Sequence, residues 1–422
     1  MTAKATQPDA VPWRLQIAVY GIGLFSTSMF YMASVVVPLW VASIETSPFL
    51  VGVVLSARHF LPLFLSIHGG ALMDRLGGRR VMIFFAIVGI VVPLLFPVMP
   101  WIWAVLVLQM IAGLADSMGW LGAQTLIGQH MRGSTVYTGR LSFTCRFGHL
   151  IAPPAIGWVW DVFGPTWAFV GLSVWGLGTL VCGLMLPDNT GNAADENSSR
   201  SPTNNSVRFR DALPRFADYV AAFRLLGIPA IALIVMASML SHVGSSVQST
   251  FYVVYLEKSY SATEIGLLFS AASVAAALGA LAANWTAQRI KPYWMIMGTI
   301  LSGVLAIALT PLFGFLSLLM IAASVRGAAN GMSQPMVISS VLKVAGPAMQ
   351  GKAAGIRGTM NRVASIVAPM VMGAMAEFIG METSFFVVGA IVTILMGALV
   401  VHVMRSPELT ASNRIPREDE AR

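Results

Sequence analysis

Apolar runs of about 20 residues, the length a helix needs to cross the hydrocarbon core of a bilayer, recur almost without pause from Trp13 to Val403. No water is available at that depth, so each backbone segment has to satisfy its own hydrogen bonds as a helix. The pattern predicts twelve spans, at 15–43, 49–73, 81–99, 102–127, 139–161, 166–186, 227–256, 262–286, 293–312, 315–342, 354–377 and 383–404. An even number of crossings puts both termini on one side. The opening MTAKATQPDAVPWRLQ is polar and the first apolar run is too long for a signal-peptide core, so no cleaved targeting segment is expected.

The pattern breaks once, where the sequence DNTGNAADENSSRSPTNNS cannot bury enough apolar surface to order itself. The predicted organisation is a six-helix bundle over 1–187, a cytoplasmic linker over 188–224, a second six-helix bundle over 225–405 and a tail over 406–422. The second part of the linker, VRFRDALPRFADYVAAFR, reads either as a basic amphipathic helix at the headgroups or as a solvated tether.

The two halves also repeat each other. RFGHLIAPPAIGWVWDVFG from Arg146 aligns without a gap on RVASIVAPMVMGAMAEFIG from Arg362, so Gly157 meets Gly373, Asp161 meets Glu377 and Gly164 meets Gly380. At nearly the same offset GVVLSA from Gly52 pairs with GLLFSA from Gly266, and AGLADSM pairs with RGAANGM, setting Asp116 against Asn330. Internal repeats of this kind are the sequence trace of a transporter built from two similar units.

Composition sharpens this picture. Hydrophobic residues fill 56% of the 422 positions and charged residues only 10%, against about 25% charged in an ordinary soluble domain. Of the 26 Lys and Arg, 20 fall on the side of the termini, counting Arg140 at the very edge of its span, five (Arg58, Arg146, Arg326, Arg357 and Arg362) lie deeper within spans and Lys258 alone lies on the other side. The positive-inside rule then predicts cytoplasmic termini in an inner or plasma membrane. The net charge of +8 is a topology signal and gives no support to nucleic-acid binding. Single cysteines at Lys258 or Glu382 are expected to label from outside, and those at Arg80 or Ser201 only from the cytoplasm. Cytoplasmic labelling at Lys258 would reject this orientation. Cys145 and Cys182 both fall in apolar spans and are expected to be packing residues.

The segment between spans 2 and 3 reads GALMDRLGGRR. This resembles the loop signature of the major facilitator superfamily, and with the repeat the resemblance covers the whole chain. It implies two pseudo-symmetric six-helix bundles that rock around a central site, with Asp74, Arg75, Gly77 and Arg79 as a gate on the cytoplasmic side. The drug:proton antiporter branch is matched more loosely. Gln109 stands where that branch carries an Arg, and Ala152-Pro153-Pro154 stands in place of its Gly-Pro pair.

Charged groups inside a bilayer are costly and tend to face a bundle interior or a watery cavity. Spans 3, 6, 9 and 12 carry none in their apolar runs, whereas spans 2, 4, 5, 10 and 11 carry Arg58, Asp116, Arg146, Arg326 and Arg362. The resemblance assigns the first set to lipid and the second to the cavity. Positions three or four apart share a helix face, which groups Gln109, Asp116 and Trp120 in span 4, Arg326, Asn330 and Gln334 in span 10, and Ser238, His242, Gln248 and Tyr252 in span 7. All of these are expected to line the cavity, although small and hydroxylated members also suit plain helix packing.

Asp116 is the only carboxylate near mid-membrane. It is expected to be either the proton-coupling residue or the permanent ion-pair partner of Arg146 or Arg326. Arg58 has Ala272 as its counterpart in the second half, and an unmatched charge points to the ligand sooner than to the scaffold. Four arginines against one aspartate make the interior basic, which suits carboxylate or phosphate recognition. His59, His68, His149 and His242 lie on different spans without ligand spacing, so no metal site is expected. No cofactor is expected either, since no Gly-rich nucleotide loop is present. The leading expectation is a monomeric, proton-coupled exporter of a drug-like compound or metabolite. The alternative is symport or uniport of an organic anion such as a carboxylate or siderophore. An enzyme would need a nucleophile–base pair or a metal cluster, neither of which the sequence offers.

Overall fold

The computed structural model describes residues 11–65, 72–73, 77–131, 135–187, 225–345 and 350–405. Twelve helical segments follow one another: α1 Trp13–Ile44, α2 Pro48–Leu65, α3 Gly78–Val98, α4 Ile102–His130, α5 Thr135–Phe163, α6 Pro165–Leu184, α7 Pro229–Leu256, α8 Ala262–Ala287, α9 Pro292–Ala308, α10 Leu316–Ala345, α11 Gln350–Ile379 and α12 Met381–Arg405. Nine of the helices in the described residues are long and apolar enough to cross a membrane. The apolar part of α9, Tyr293–Ala308, is shorter, and α5 and α10 are not among the nine. The linker 188–224, the tail 406–422, and Asp74 and Arg75 of the expected gate lie outside the described residues.

Helix ends follow local chemistry. Proline, whose fixed φ suits the first helical turn, opens α2, α6, α7 and α9. Ser261 and Glu264 bond to each other's backbone N–H at 3.2 and 2.9 Å, a reciprocal cap that starts α8. Gly164 and Gly380, with φ of 87° and 82°, let the chain leave α5 and α11 and begin the next helix at once. α5 and α11 start at Thr135 and Gln350, each four residues ahead of the expected 139 and 354. Hydropathy reports the thickness of the hydrocarbon layer, and a helix can continue past it.

Burial separates central from peripheral helices. In the most apolar stretch of α1, 72% of residues are buried, against 33% in α3 and 28% in α12. Large side chains such as Phe84, Val174 and Ile394 point outward from α3, α6 and α12. That is the arrangement required of lipid-facing helices.

The two halves meet through α2 against α11 and α5 against α8. Gly52 lies against the Pro369 carbonyl and Gly266 against the Pro153 carbonyl, so the repeated glycines serve matching interfaces. Within the halves, Gly113 abuts the Arg58 carbonyl and Gly327 abuts that of Ala272, again at aligned positions. Prolines inside helices release carbonyls that lipid cannot satisfy. Pro154 frees the Leu150 carbonyl, which accepts from Ser270, and Pro369 frees that of Ser365, which accepts from Ser246 at 3.1 Å.

Candidate functional site

Arg58 lies in a 3₁₀ turn, Ala57–His59, that interrupts α2, and is 7% exposed. Its Nε donates to Oδ2 of Asp116 on α4 at 3.1 Å, and Nη2 donates to the same oxygen. The guanidinium also stands 4.5 Å from the centroid of the Phe30 ring on α1. Gly113, one turn before Asp116, permits this approach, because a side chain there would strike the Arg58 backbone. This is the only ion pair among the described residues. Asp116 therefore has a partner other than the expected Arg146 or Arg326.

The pairing also gives the asymmetry at Arg58 a structural explanation. In the second half its counterpart is Ala272 and that of Asp116 is Asn330. Both charges are missing together, so the asymmetry belongs to the pair and needs no ligand to explain it.

Asp116 also borders a cavity reached by Ser26 of α1, Gly89 of α3 and Thr179 of α6. A second cavity joins Arg58, His59 and Gln109 to Ser249 and Thr250 of α7, and so spans the two halves. The Oε1 of Gln109, in a residue 2% exposed, has no hydrogen-bond partner among the described residues. A third cavity in the second half holds Arg326 and Asn330 of α10, Ser241 and Ser245 of α7, and Thr299 of α9. Arg326 is 8% exposed and makes no hydrogen bond or ion pair among the described residues. Its buried charge is left without a counter-ion there.

A family model described as Major Facilitator Superfamily matches residues 19–237 and again 234–422. The chain belongs to the major facilitator superfamily. A search of curated proteins finds no match. Among solved structures, the nucleoside transporter NupG superposes with a TM-score of 0.71 at 15% identity, covering 92% of this chain and 98% of that one. A POT family transporter in complex with a thioalcohol-conjugated peptide gives 0.73 at 12% identity, covering 94% and 96%. A D-xylose–proton symporter gives 0.66 at 15% identity, covering 92% and 97%. At such identities the likeness shows the fold alone. Family membership makes the protein a transporter of the secondary type.

Within this major facilitator fold the remaining expected residues sit in different environments. Arg362 reaches across to the first half, where its Nη1 donates to Ser117 at 3.4 Å. Arg146 is half-buried, and Tyr252 and Gln248 are buried at 4% and 7% exposure. His242 Nδ1 lies 3.0 Å from the Ser238 carbonyl of its own helix. Gln334 donates to Asn330 at 3.4 Å, within α10. Trp120, four residues after Asp116, is 38% exposed. Gly77 adopts a φ of 84° and caps α3, while Arg79 donates to the Leu184 carbonyl at 3.4 Å, inside its own half.

Sequence reasoning passed over the aromatic side of the site. Phe30 touches Arg58, and Tyr31 packs on His149 at 4.1 Å and on Phe269 of the second half at 6.4 Å. An apolar stretch such as the middle of α1 gives no charge signal, and only its central position exposes the role.

Proposed function

We propose that this chain couples protons to the movement of a small organic solute bearing an anionic group, by alternating access to the cavities between and within its halves. The observation that carries the reading is the division of charge: Asp116 is spent on Arg58, and Arg326 stays buried without a counter-ion among the described residues. A guanidinium in a low-dielectric pocket lined by hydroxyls suits a carboxylate or phosphate. Asp116 serves as the proton carrier. Its protonation releases Arg58, and a buried cation that loses its partner attracts the solute's negative group. Proton and solute then travel together and their charges offset.

Exchange of protons for an exported drug-like compound or metabolite is the second reading, resting on the looser resemblance to the antiporter branch, from which Ala152-Pro153-Pro154 of α5 departs. Gln109, standing where that branch has an Arg, weighs against it. In either case Asp74, Arg75, Gly77 and Arg79 are proposed to latch the cytoplasmic mouth.

The test uses purified protein in vesicles loaded with a pH-sensitive dye. Organic acids entering down their gradient are expected to acidify the lumen, and neutral or cationic analogues are expected to leave it unchanged. Alkalinisation would favour exchange, and silence towards every anion would overturn the proposal. Arg326→Gln provides a second check. Losing a charge-assisted bond worth about 1.5–3 kcal/mol should weaken solute affinity about 10–100-fold. Removing a buried cation that has no partner should at the same time leave thermal stability equal or higher. A fall in stability together with unchanged affinity would assign Arg326 to the scaffold.

A further inference from the structure

Asp161 and Glu377 stand at the unfavourable ends of their own helices. Each lies in the last turn, of α5 and of α11, where the helix dipole is negative and a carboxylate is disfavoured. Each compensates on a helix of the opposite half. Asp161 accepts from the backbone N–H of Ala262 at 3.0 Å and of Thr263 at 2.9 Å, and from the Thr263 hydroxyl at 2.5 Å, at the start of α8. Glu377 accepts from the Ser47 hydroxyl at 2.9 Å and from the Phe49 N–H at 3.2 Å, at the start of α2.

A glycine one turn earlier completes each contact. Positions four apart share a face, and on that face Gly157 lies against the Ala262 carbonyl and Gly373 against the Pro48 carbonyl. A Cβ at either glycine would strike backbone, so the pairs Gly157–Asp161 and Gly373–Glu377 form one motif used twice. The glycine admits the first turn of the partner helix, and the acid accepts the first-turn N–H groups that the helix's own serine cap does not reach, those of Ala262 and Thr263 beside Ser261 and that of Phe49 beside Ser47.

We infer that this duplicated cap is a latch holding the two halves together at the end of the bundle that bears the α1–α2 and α7–α8 connections. Its bonds join α5 to α8 and α11 to α2, so any state that opens this end must break them. Both carboxylates are water-exposed and each bond is modest by itself. A latch of this kind is strong enough to bias an equilibrium between access states and weak enough to be undone in every cycle. The inference needs only alternating access and is independent of the coupling ion and solute proposed above.

The test measures distance without any solute, so its failure is separate from theirs. Spin labels are placed at Thr46 and Lys258, exposed positions in opposite halves at this end, with Cys145 and Cys182 replaced by serine. The pair Asp161→Ala and Glu377→Ala is expected to raise the long-distance population several-fold, with each single change intermediate. Thr263→Val, which removes only the hydroxyl bond to Asp161, should give a smaller shift in the same direction. Glu382→Gln, at the same end but bonded within its own half to Tyr255, should leave the distances unchanged. Distances in the double variant identical to the parent would overturn the latch. So would loss of folding in the double variant accompanied by unaltered distances in Thr263→Val and Asp161→Ala.

Discussion

Asp116→Asn is expected to abolish proton-driven accumulation and, by itself, to destabilise the protein. Asparagine keeps the size of aspartate and can still bond to Arg58, but it cannot ionise. The change strands the Arg58 guanidinium among buried neighbours, and breaking a buried pair from one side costs about 3–5 kcal/mol. The second half already shows a neutral solution, since Ala272 and Asn330 occupy the equivalent positions against an equally close glycine contact. The double variant Arg58→Ala with Asp116→Asn copies that solution. It should recover most of the lost thermal stability while proton coupling stays absent. Measuring monodisperse yield, melting temperature and proton-driven uptake for both variants separates structural loss from functional loss. Retained proton-driven uptake in the stable double variant would exclude Asp116 as the proton carrier and direct attention to the histidines.

Gly113→Val is expected to be at least as damaging, because it adds overpacking to the loss of the same ion pair. A Cβ at Gly113 would overlap the Arg58 carbonyl, and backbone cannot swing aside as the tip of a side chain can. Overpacking of this kind costs about 1–3 kcal/mol, and more where the obstacle is rigid. Here it would also push the 3₁₀ turn of α2 away from α4 and open the Arg58–Asp116 pair. Gly327→Val should do comparable harm at the Ala272 carbonyl, with no ion pair at stake. The difference between these two variants therefore isolates the pair. At Gly298 in α9, a methyl group on the Cα would meet nothing within 4 Å beyond the backbone of its own helix and its chain neighbours. Gly298→Ala should be neutral or gain about 0.5–1 kcal/mol, as alanine replaces glycine in a helix interior. Equal melting temperatures for Gly113→Val and Gly298→Ala would refute the close-approach account.

The architecture of this protein is written in its hydropathy. A bilayer permits few solutions, so twenty-residue apolar runs specify helices, and their number, the repeat and the placement of charge follow from simple physics. The aligned glycines were legible for the same reason, because a position that must carry no side chain recurs in both halves. Partnership was not legible. Arg58, Asp116, Arg146, Arg326 and Arg362 all read as intramembrane charges, and only the close approach of α2 to α4 decides that Asp116 meets Arg58 while Arg326 is left without a counter-ion among the described residues. Asp161 and Glu377 likewise read only as aligned acids at the ends of their spans. Their hydrogen-bond partners lie across the interface, on helices about 100 and 330 residues away in the chain. Hydropathy and periodicity describe one helix at a time, whereas the energy of a buried charge or an unfilled cap depends on which other helix is beside it.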